Sequence, residues 1–225
     1  MQKPYTEIEN ILKKVDFDAI WKGFTPCDFA LTSWPSEKNV ELLTMKVIRE
    51  MFHVFQTQQG ESRKADEAAI SAYPHDLDNY HLKAAEIHYL IKAFGENSEV
   101  DFEQFAVLRR ARKRIIGDAF KQELLIETFE GMAEYAGMMA LRQISHQKFM
   151  LQLEKQLIYL RNPENLFNVQ RVSCFVGSIL CMTLKALGID FYHNLSESQP
   201  LFDLVKWKPT VIDISSEKFH QKLRR

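Results

Sequence analysis

Glycine is scarce in this chain, with 8 among 225 residues, about half of the average usage. No GxGxxG or GxxxxGK[ST] string occurs, which disfavours a fold built on glycine-rich phosphate-binding loops. The three cysteines, Cys27, Cys174 and Cys181, are odd in number and lack CxxC spacing. This pattern argues against a disulfide framework and a zinc ribbon. Cys174 and Cys181 share a helix face, where core packing is the expected role.

The sequence also lacks a long hydrophobic run and an excess of either charge. Its longest weakly polar stretch, from Val172 to Leu184, is shorter than the roughly 20 residues that span a bilayer. Charges near the N-terminus, from Met1 to Asn10, occupy the place where a signal peptide needs apolar residues. A net charge of −1 excludes a strongly basic nucleic-acid binder. We therefore expect a cytoplasmic protein that binds neither membrane nor nucleic acid.

What the sequence does contain is helical periodicity. Apolar residues amount to 46% of the chain and charged residues to 26%, as in a globular protein. The apolar positions recur at spacings of three and four, with few alternating β-branched runs. These features predict a mostly α fold in a single domain spanning residues 1–225, with at most a small β element near the N-terminus.

Stop and start signals divide the periodic pattern into predicted helices. The predicted helices cover residues 7–15, 39–59, the stretch from Asp76 or Asp78 to 94, 102–116, 118–161 as one helix or two, 169–187 and 201–205. Ser36 is a plausible N-cap for the helix at 39–59, and Gly95 is the expected stop after residue 94. Gly131 and Gly137 are the positions where the long stretch would divide.

The helix at 39–59 carries the first candidate motif, in the segment from Val47 to Gln56. It has the form HExxH with the first His replaced by Arg49, followed by Glu50 and His53. In a zinc hydrolase, two His four residues apart leave the same helix face, and the neighbouring Glu takes a proton from metal-bound water. The second motif is EGMAEY, which begins at Glu130, where Gly131 lets another backbone approach closely.

Together the two motifs resemble the gluzincin metallopeptidases, in which HExxH on one helix is completed by a Glu from a later helix, often within EGxAxY. The resemblance covers roughly residues 39–205 and implies a zincin-like helical domain. It implies that His53 and Glu130 are zinc ligands and that Glu50 is the catalytic base for hydrolysis of a peptide bond. The stabiliser of the oxyanion is not assigned by the motifs, and Tyr73, Tyr135 and His146 are candidates.

Arg49 stands where the resemblance requires a metal ligand. Its guanidinium has no free lone pair and stays protonated in proteins, so it cannot ligate zinc. We therefore expect a degenerate zinc site with reduced or lost hydrolysis, in which Arg49 bridges Glu130 or Glu50 through bidentate hydrogen bonds. The protein could then be retained to bind a peptide or protein partner, with zinc as cofactor only if the site functions.

Two alternatives stay open at this stage. An active zinc peptidase could recruit a substitute ligand, such as Glu127, Glu134 or a cysteine. A helical interaction or ligand-binding domain unrelated to peptidases predicts instead that Arg49, His53 and Glu130 do not converge in space.

Two charged stretches have ordinary explanations as well. Four carboxylates share one helix face: Glu123, Glu127, Glu130 and Glu134. Such a stripe is usually solvated, although the resemblance would turn it inward, where it needs a counter-cation such as zinc, Arg49 or the pair Arg109 and Arg112. The basic run 109–114 is expected to be a solvated helix face that pairs with acidic neighbours.

Overall fold

A computed structural model describes residues 2–28, 38–193 and 195–204 of the protein. Every regular element in these ranges is a helix, so the fold is mostly α, as predicted, and the β element allowed for near the N-terminus does not occur in them. The helices are α1 (Gln2–Leu12), α2 (Phe17–Ile20), α3 (Val40–Gln58), α4 (Glu67–Ser71), α5 (Leu77–Glu96), α6 (Glu99–Ile116), α7 (Asp118–Ile144), α8 (His146–Arg161), a 3₁₀ helix (Pro163–Phe167), α9 (Val169–Ala186) and α10 (Leu201–Leu204).

Helix ends follow local capping chemistry that the sequence indicated only in part. Asn39 caps α3 by accepting a hydrogen bond from the N–H of Leu42, whereas Ser36 lies outside the described residues. Asp76, one of the two predicted candidates, caps α5. The same helix runs through Gly95 and ends at Asn97, whose left-handed backbone (φ 50°) stops it. The glycine stop predicted at Gly95 was therefore wrong by two residues, because Asn97 adopts the left-handed backbone that ends the helix.

The long stretch from 118 to 161 forms two helices that divide at Ser145, not at a glycine. Ser145 has extended backbone angles, and its hydroxyl caps α8 by accepting from the N–H of Lys148. Gly131 and Gly137 both stay inside α7. Their lack of a side chain serves helix packing instead of a helix break.

The central helix, α7, packs against α9 on one side and α3 on the other. A Cβ added at Gly131 would lie 2.6 Å from the Cα of Gly177, and one at Gly137 would lie 3.0 Å from the carbonyl oxygen of Met45. Only glycine allows backbones to approach this closely, so the expectation for Gly131 is confirmed. The two contacts hold α7 close to α3 and to the middle of α9.

Most of the buried apolar residues that the structure describes belong to one cluster, which includes residues from Val15 to Leu201. Helix α9 is the one described helix long and apolar enough to cross a membrane, but 78% of its 18-residue window is buried by the rest of the protein. That burial is typical of the core helix of a soluble protein, as the sequence analysis expected for the stretch after Val172. Cys181 is buried in this core, also as expected.

Candidate functional site

Arg49, His53 and Glu130 meet between α3 and α7. The guanidinium Nη2 of Arg49 donates a hydrogen bond to Oε2 of Glu130 over 2.5 Å. The Nε2 atom of His53 lies 3.5 Å from the same oxygen. The three residues therefore converge, although Glu130 follows Arg49 by 81 positions. This geometry runs against the alternative of an unrelated helical domain, which requires them to lie apart.

Arg49 is shared among three carboxylates. Besides Glu130, its Nη1 donates to Oε1 of Glu50 over 3.2 Å. Its Nε lies 3.4 Å from Oε2 of Glu134 but forms no hydrogen bond. Arg49 was expected to bind Glu130 or Glu50 bidentately; it instead donates one hydrogen bond to each of them. Each of these two carboxylates accepts a single N–H because the guanidinium sits between them.

His53 is oriented by two contacts. Its ring stacks on Phe129, with 4.8 Å between the ring centroids. Its Nδ1 lies 2.9 Å from Oε1 of Gln56, whose Nε2 donates to the carbonyl oxygen of Phe129 over 3.0 Å. Since the amide nitrogen is the donor to that carbonyl, Oε1 accepts from an Nδ1–H, and Nε2 faces Glu130.

Gln56 was missed by the sequence analysis. The available signal was its spacing, because a residue three positions after His53 lies on the same helix face. Gln56 is fully buried on α3, and a buried amide must place its donors and acceptor. A polar residue at this spacing inside an apolar helix therefore indicates a fixed imidazole.

The ionisation of the acidic residues follows from their neighbours. The imidazole of His53, and then the guanidinium of Arg49, lower the pKa of Glu130 although burial opposes them. Burial raises the pKa of Glu134, which is the more enclosed of the two. Burial also raises the pKa of the Cys174 thiol, so this thiol is protonated at neutral pH.

An open cavity of about 590 Å³ adjoins Arg49, and we refer to it as the Arg49 cavity. Its walls come from α3, α7, α8 and the first turns of α9. The lining residues are Met45, Lys46, Arg49, Glu50, Glu130, Glu134, Gln152, Asn168, Gln170, Arg171, Cys174 and Phe175. His53 is not among them and lies behind Glu130. The size falls within the range of small-ligand sites, which is about 300–1,000 Å³.

The donor set does not fit zinc. A structural or catalytic zinc site has three or four protein ligands, and His53 with Glu130 provides two. The lone pair of Glu130 Oε2 that a metal would need accepts the N–H of Arg49. No group of three or more His, Cys, Asp or Glu side chains suited to a metal occurs in the described part of the chain.

The proposed substitute ligands differ in position. Glu134 and Cys174 line the Arg49 cavity, but Oε1 of Glu134 accepts from Gln156 over 2.7 Å and Cys174 is a protonated thiol. Glu127 is directed elsewhere, because both its oxygens accept from Arg109. A zinc site would therefore require rearrangement of several side chains.

A second set of charges fills the space between α5, α6 and α7, and we call it the buried network. It consists of Tyr73, Asn79, Lys83, Glu86, Arg109, Arg112, Glu123 and Glu127. Three cations face three carboxylates, and each of these eight residues is at most 5% exposed. The solvated stripe is therefore wrong for Glu123 and Glu127, and also for Glu134, which is 7% exposed. Glu123 and Glu127 face inward and pair with Arg112 and Arg109, the arrangement that the resemblance implied.

Hydrogen bonds in the buried network are short and directional. Arg112 donates to Glu86 over 2.7 Å, to Glu123 over 2.5 Å and to the side-chain oxygen of Asn79 over 2.9 Å. Arg109 donates to Glu86 over 2.8 Å and bidentately to Glu127. The prediction of a solvated basic run is thus wrong for Arg109 and Arg112, which are fully buried.

The rest of the basic run does lie on the surface. Arg110, Lys113 and Arg114 are exposed, as expected for a solvated helix face. The i and i+3 spacing of Arg109 and Arg112 was the signal that these two share a different face of α6.

The three candidates for the oxyanion stabiliser lie away from the Arg49 cavity. Tyr73 donates to Glu123 within the buried network. Tyr135 is buried, with its hydroxyl 3.1 Å from that of Tyr192. His146 begins α8 beside Phe149. None of them lines the cavity.

No protein-family model, curated protein or solved structure matches this chain. The likeness to gluzincins consequently depends on the two motifs and on the meeting of Arg49, His53 and Glu130.

Proposed function

We propose that this protein is a gluzincin-like metallopeptidase homologue in which Arg49 has replaced zinc and peptide-bond hydrolysis is lost. The supporting observation is the hydrogen bond from Arg49 to Glu130 Oε2, the oxygen that also faces His53. A guanidinium at this place neutralises the carboxylate that a metal would otherwise neutralise. It therefore links α3 and α7 by a charge-assisted hydrogen bond without a cofactor.

The same proposal assigns the protein a binding role in the cytoplasm. The Arg49 cavity remains open beside the replaced metal position and is lined by charged and apolar side chains. An open cavity with a few fixed polar groups is the usual form of a ligand site. Glu50 would then pair with Arg49 instead of serving as a catalytic base.

The decisive experiment measures zinc by mass spectrometry on untagged protein. Wild type should contain no stoichiometric zinc, and Arg49→His should take up close to one per chain because it restores a third ligand beside His53 and Glu130. Arg49→Gln is the matched control, since it removes the cation without adding a nitrogen ligand, and it should stay metal-free.

Each result decides between the alternatives. Zinc near one per chain in the wild type would overturn the proposal in favour of an active peptidase, to be tested by loss of peptide hydrolysis in Glu50→Gln. No zinc in Arg49→His would place the protein outside this family. Zinc restricted to Arg49→His would support a peptidase site disabled at one ligand.

A further inference from the structure

Three carboxylates meet at one wall of the Arg49 cavity. One guanidinium, that of Arg49, lies within 4 Å of the carboxylates of Glu50, Glu130 and Glu134. The side chain of Glu50 is 49% exposed and solvated, whereas those of Glu130 and Glu134 are 29% and 9% exposed. Arg49 alone therefore does not balance the two more enclosed carboxylates, and a cationic group of a ligand can approach them from the cavity.

Glu134 offers an acceptor to the cavity. Its side chain is 9% exposed, and its Oε1 accepts from the amide of Gln156. Its Oε2 lies 3.4 Å from the Nε of Arg49, which donates no hydrogen bond to it, and this oxygen is not completely buried. A carboxylate oxygen that is open to a cavity and has no donor from the protein can accept an N–H from a ligand.

A second wall of the cavity, formed by the start of α9, carries the opposite charge. Arg171 is exposed, has no carboxylate within ion-pair distance among the described residues, and rests against the ring of Phe175 at 5.4 Å. It lies in the first turn of α9, which is capped by Asn168. The N-terminus of an 18-residue helix also favours an anion. Arg171 is close enough to Glu134 for its charge to lower the pKa that burial raises.

Opposite charges on two walls of one cavity select a ligand that carries both signs. We propose that the Arg49 cavity binds a free amino acid with an apolar side chain, its ammonium at Glu134 and its carboxylate at Arg171. Met45 and Phe175 line the same cavity and provide apolar surface for the side chain. A polyamine is disfavoured, since Lys46 and Arg171 also line the cavity and would repel it. The inference deepens the proposed function and rests on the cavity being free of zinc.

Isothermal titration calorimetry with L-leucine and L-phenylalanine tests the proposal on the wild-type chain. Both should bind, whereas N-acetyl-L-leucine, which lacks the ammonium, and L-leucinamide, which lacks the carboxylate, should each bind at least tenfold more weakly. Equal binding of leucine and its N-acetyl form would overturn the assignment of Glu134. Leucyl-leucine binding in the absence of leucine binding would overturn the choice of an amino acid in favour of a peptide.

Variants locate the two charges. Glu134→Gln and Arg171→Gln should each weaken leucine binding at least tenfold, while Arg110→Gln, an exposed arginine on α6 outside the cavity, should leave it unchanged. Since Arg171 is exposed, its variant should keep its far-ultraviolet circular dichroism and decide the matter even if Glu134→Gln fails to fold. Undiminished binding by Arg171→Gln would overturn the proposed carboxylate site.

The leucine-binding experiment and the zinc measurement test two separate proposals. Zinc uptake by Arg49→His reports on the replaced metal ligand, whereas leucine binding by wild type reports on the cavity. Uptake without leucine binding would leave the proposed function standing and overturn the amino-acid ligand. Leucine binding without uptake would retain the ligand and remove the peptidase ancestry.

Discussion

The buried network and the charged wall of the Arg49 cavity are similar in composition but differ in charge balance and in exposure to solvent. Each uses two carboxylates of α7 that face arginines from a neighbouring helix. In the buried network, Glu123 and Glu127 belong to a set with equal numbers of cations and carboxylates, sealed from solvent. At the cavity, Glu130 and Glu134 share one arginine with Glu50 and border open space.

The difference separates a charge set sealed in the core from one that borders a cavity, where we propose that a ligand binds. A buried set tolerates no imbalance, because each unpaired charge would lack both water and a partner. A set beside a cavity tolerates an imbalance, because solvent or a ligand can compensate it. One helix therefore carries two carboxylates that pair within the core and two, further along, that border the cavity.

The largest expected effect comes from removing a cation of the buried network. Arg112→Leu should lower the free energy of unfolding by about 3–5 kcal/mol, since it leaves Glu86 and Glu123 with fewer donors inside the protein. Urea denaturation measures the loss. Arg110→Leu, on the exposed face of the same helix, should change stability by less than about 0.5 kcal/mol. Equal losses in both variants would mean that the buried network does not hold the fold.

The dependence of stability on pH should separate the two carboxylates of the buried network. Burial opposes ionisation of Glu123, but Arg112 and then Lys83 outweigh it and lower its pKa to about 2. Its contribution, about 3 kcal/mol, is present above pH 4.5 and is lost as pH falls through 2. Burial raises the pKa of Glu127 to about 7 in spite of Arg109. Glu127 therefore favours the folded state at low pH, and this contribution is lost as pH rises from 4.5 through 7.

Urea denaturation of two variants across pH 2–8 tests the direction in which each carboxylate changes stability with pH. Glu123→Gln should flatten the acidic limb of the stability curve, and Glu127→Gln should flatten the limb between pH 4.5 and 7. The test compares the slopes of unfolding free energy against pH. The absolute stabilities are not compared, because both variants also lose a hydrogen-bond acceptor. A Glu123→Gln protein with an unchanged acidic limb would show that other carboxylates control acid unfolding.

A smaller effect should come from the helix crossing between the two regions. Gly177→Ala places a Cβ 2.2 Å from the carbonyl oxygen of Glu127, so α7 and α9 must move apart, at a cost of about 1–3 kcal/mol. Gly95→Ala has no atom within 4 Å of its new Cβ and should instead stabilise α5 by about 0.5–1 kcal/mol. Thermal unfolding of the pair gives the sign of each change. Destabilisation of similar size in both would argue against the close crossing.

The smallest expected effect is that of Arg49 on stability. Arg49→Leu should cost about 1 kcal/mol or less, because its side chain is 28% exposed and water from the cavity can solvate the carboxylates it leaves. The comparison with Arg112→Leu uses the same substitution in the same assay. A cost as large as that of Arg112→Leu would assign Arg49 to the structural core and remove the contrast between the two regions.

The sequence predicted much of the site because the relevant spacings are local. Arg49 and His53 lie four residues apart, which places them on one face of α3 whatever surrounds it. The match of Glu130 to a known motif then linked a second helix to the first. The spacing argument also applies to Gln56, which lies three residues after His53 and contacts it. The sequence analysis assigned it no role, because neither motif gives this glutamine a function.

The sequence by itself determined the helical class, most helix positions and the faces on which charged residues lie, because these depend on periodicity and capping within a few residues. Only the tertiary structure decided which faces are buried. The spacing that groups Arg109 with Arg112 is equally compatible with a solvated face and with an interior one. The choice is made by Glu86, Glu123 and Glu127, which come from two other helices and supply the opposite charges.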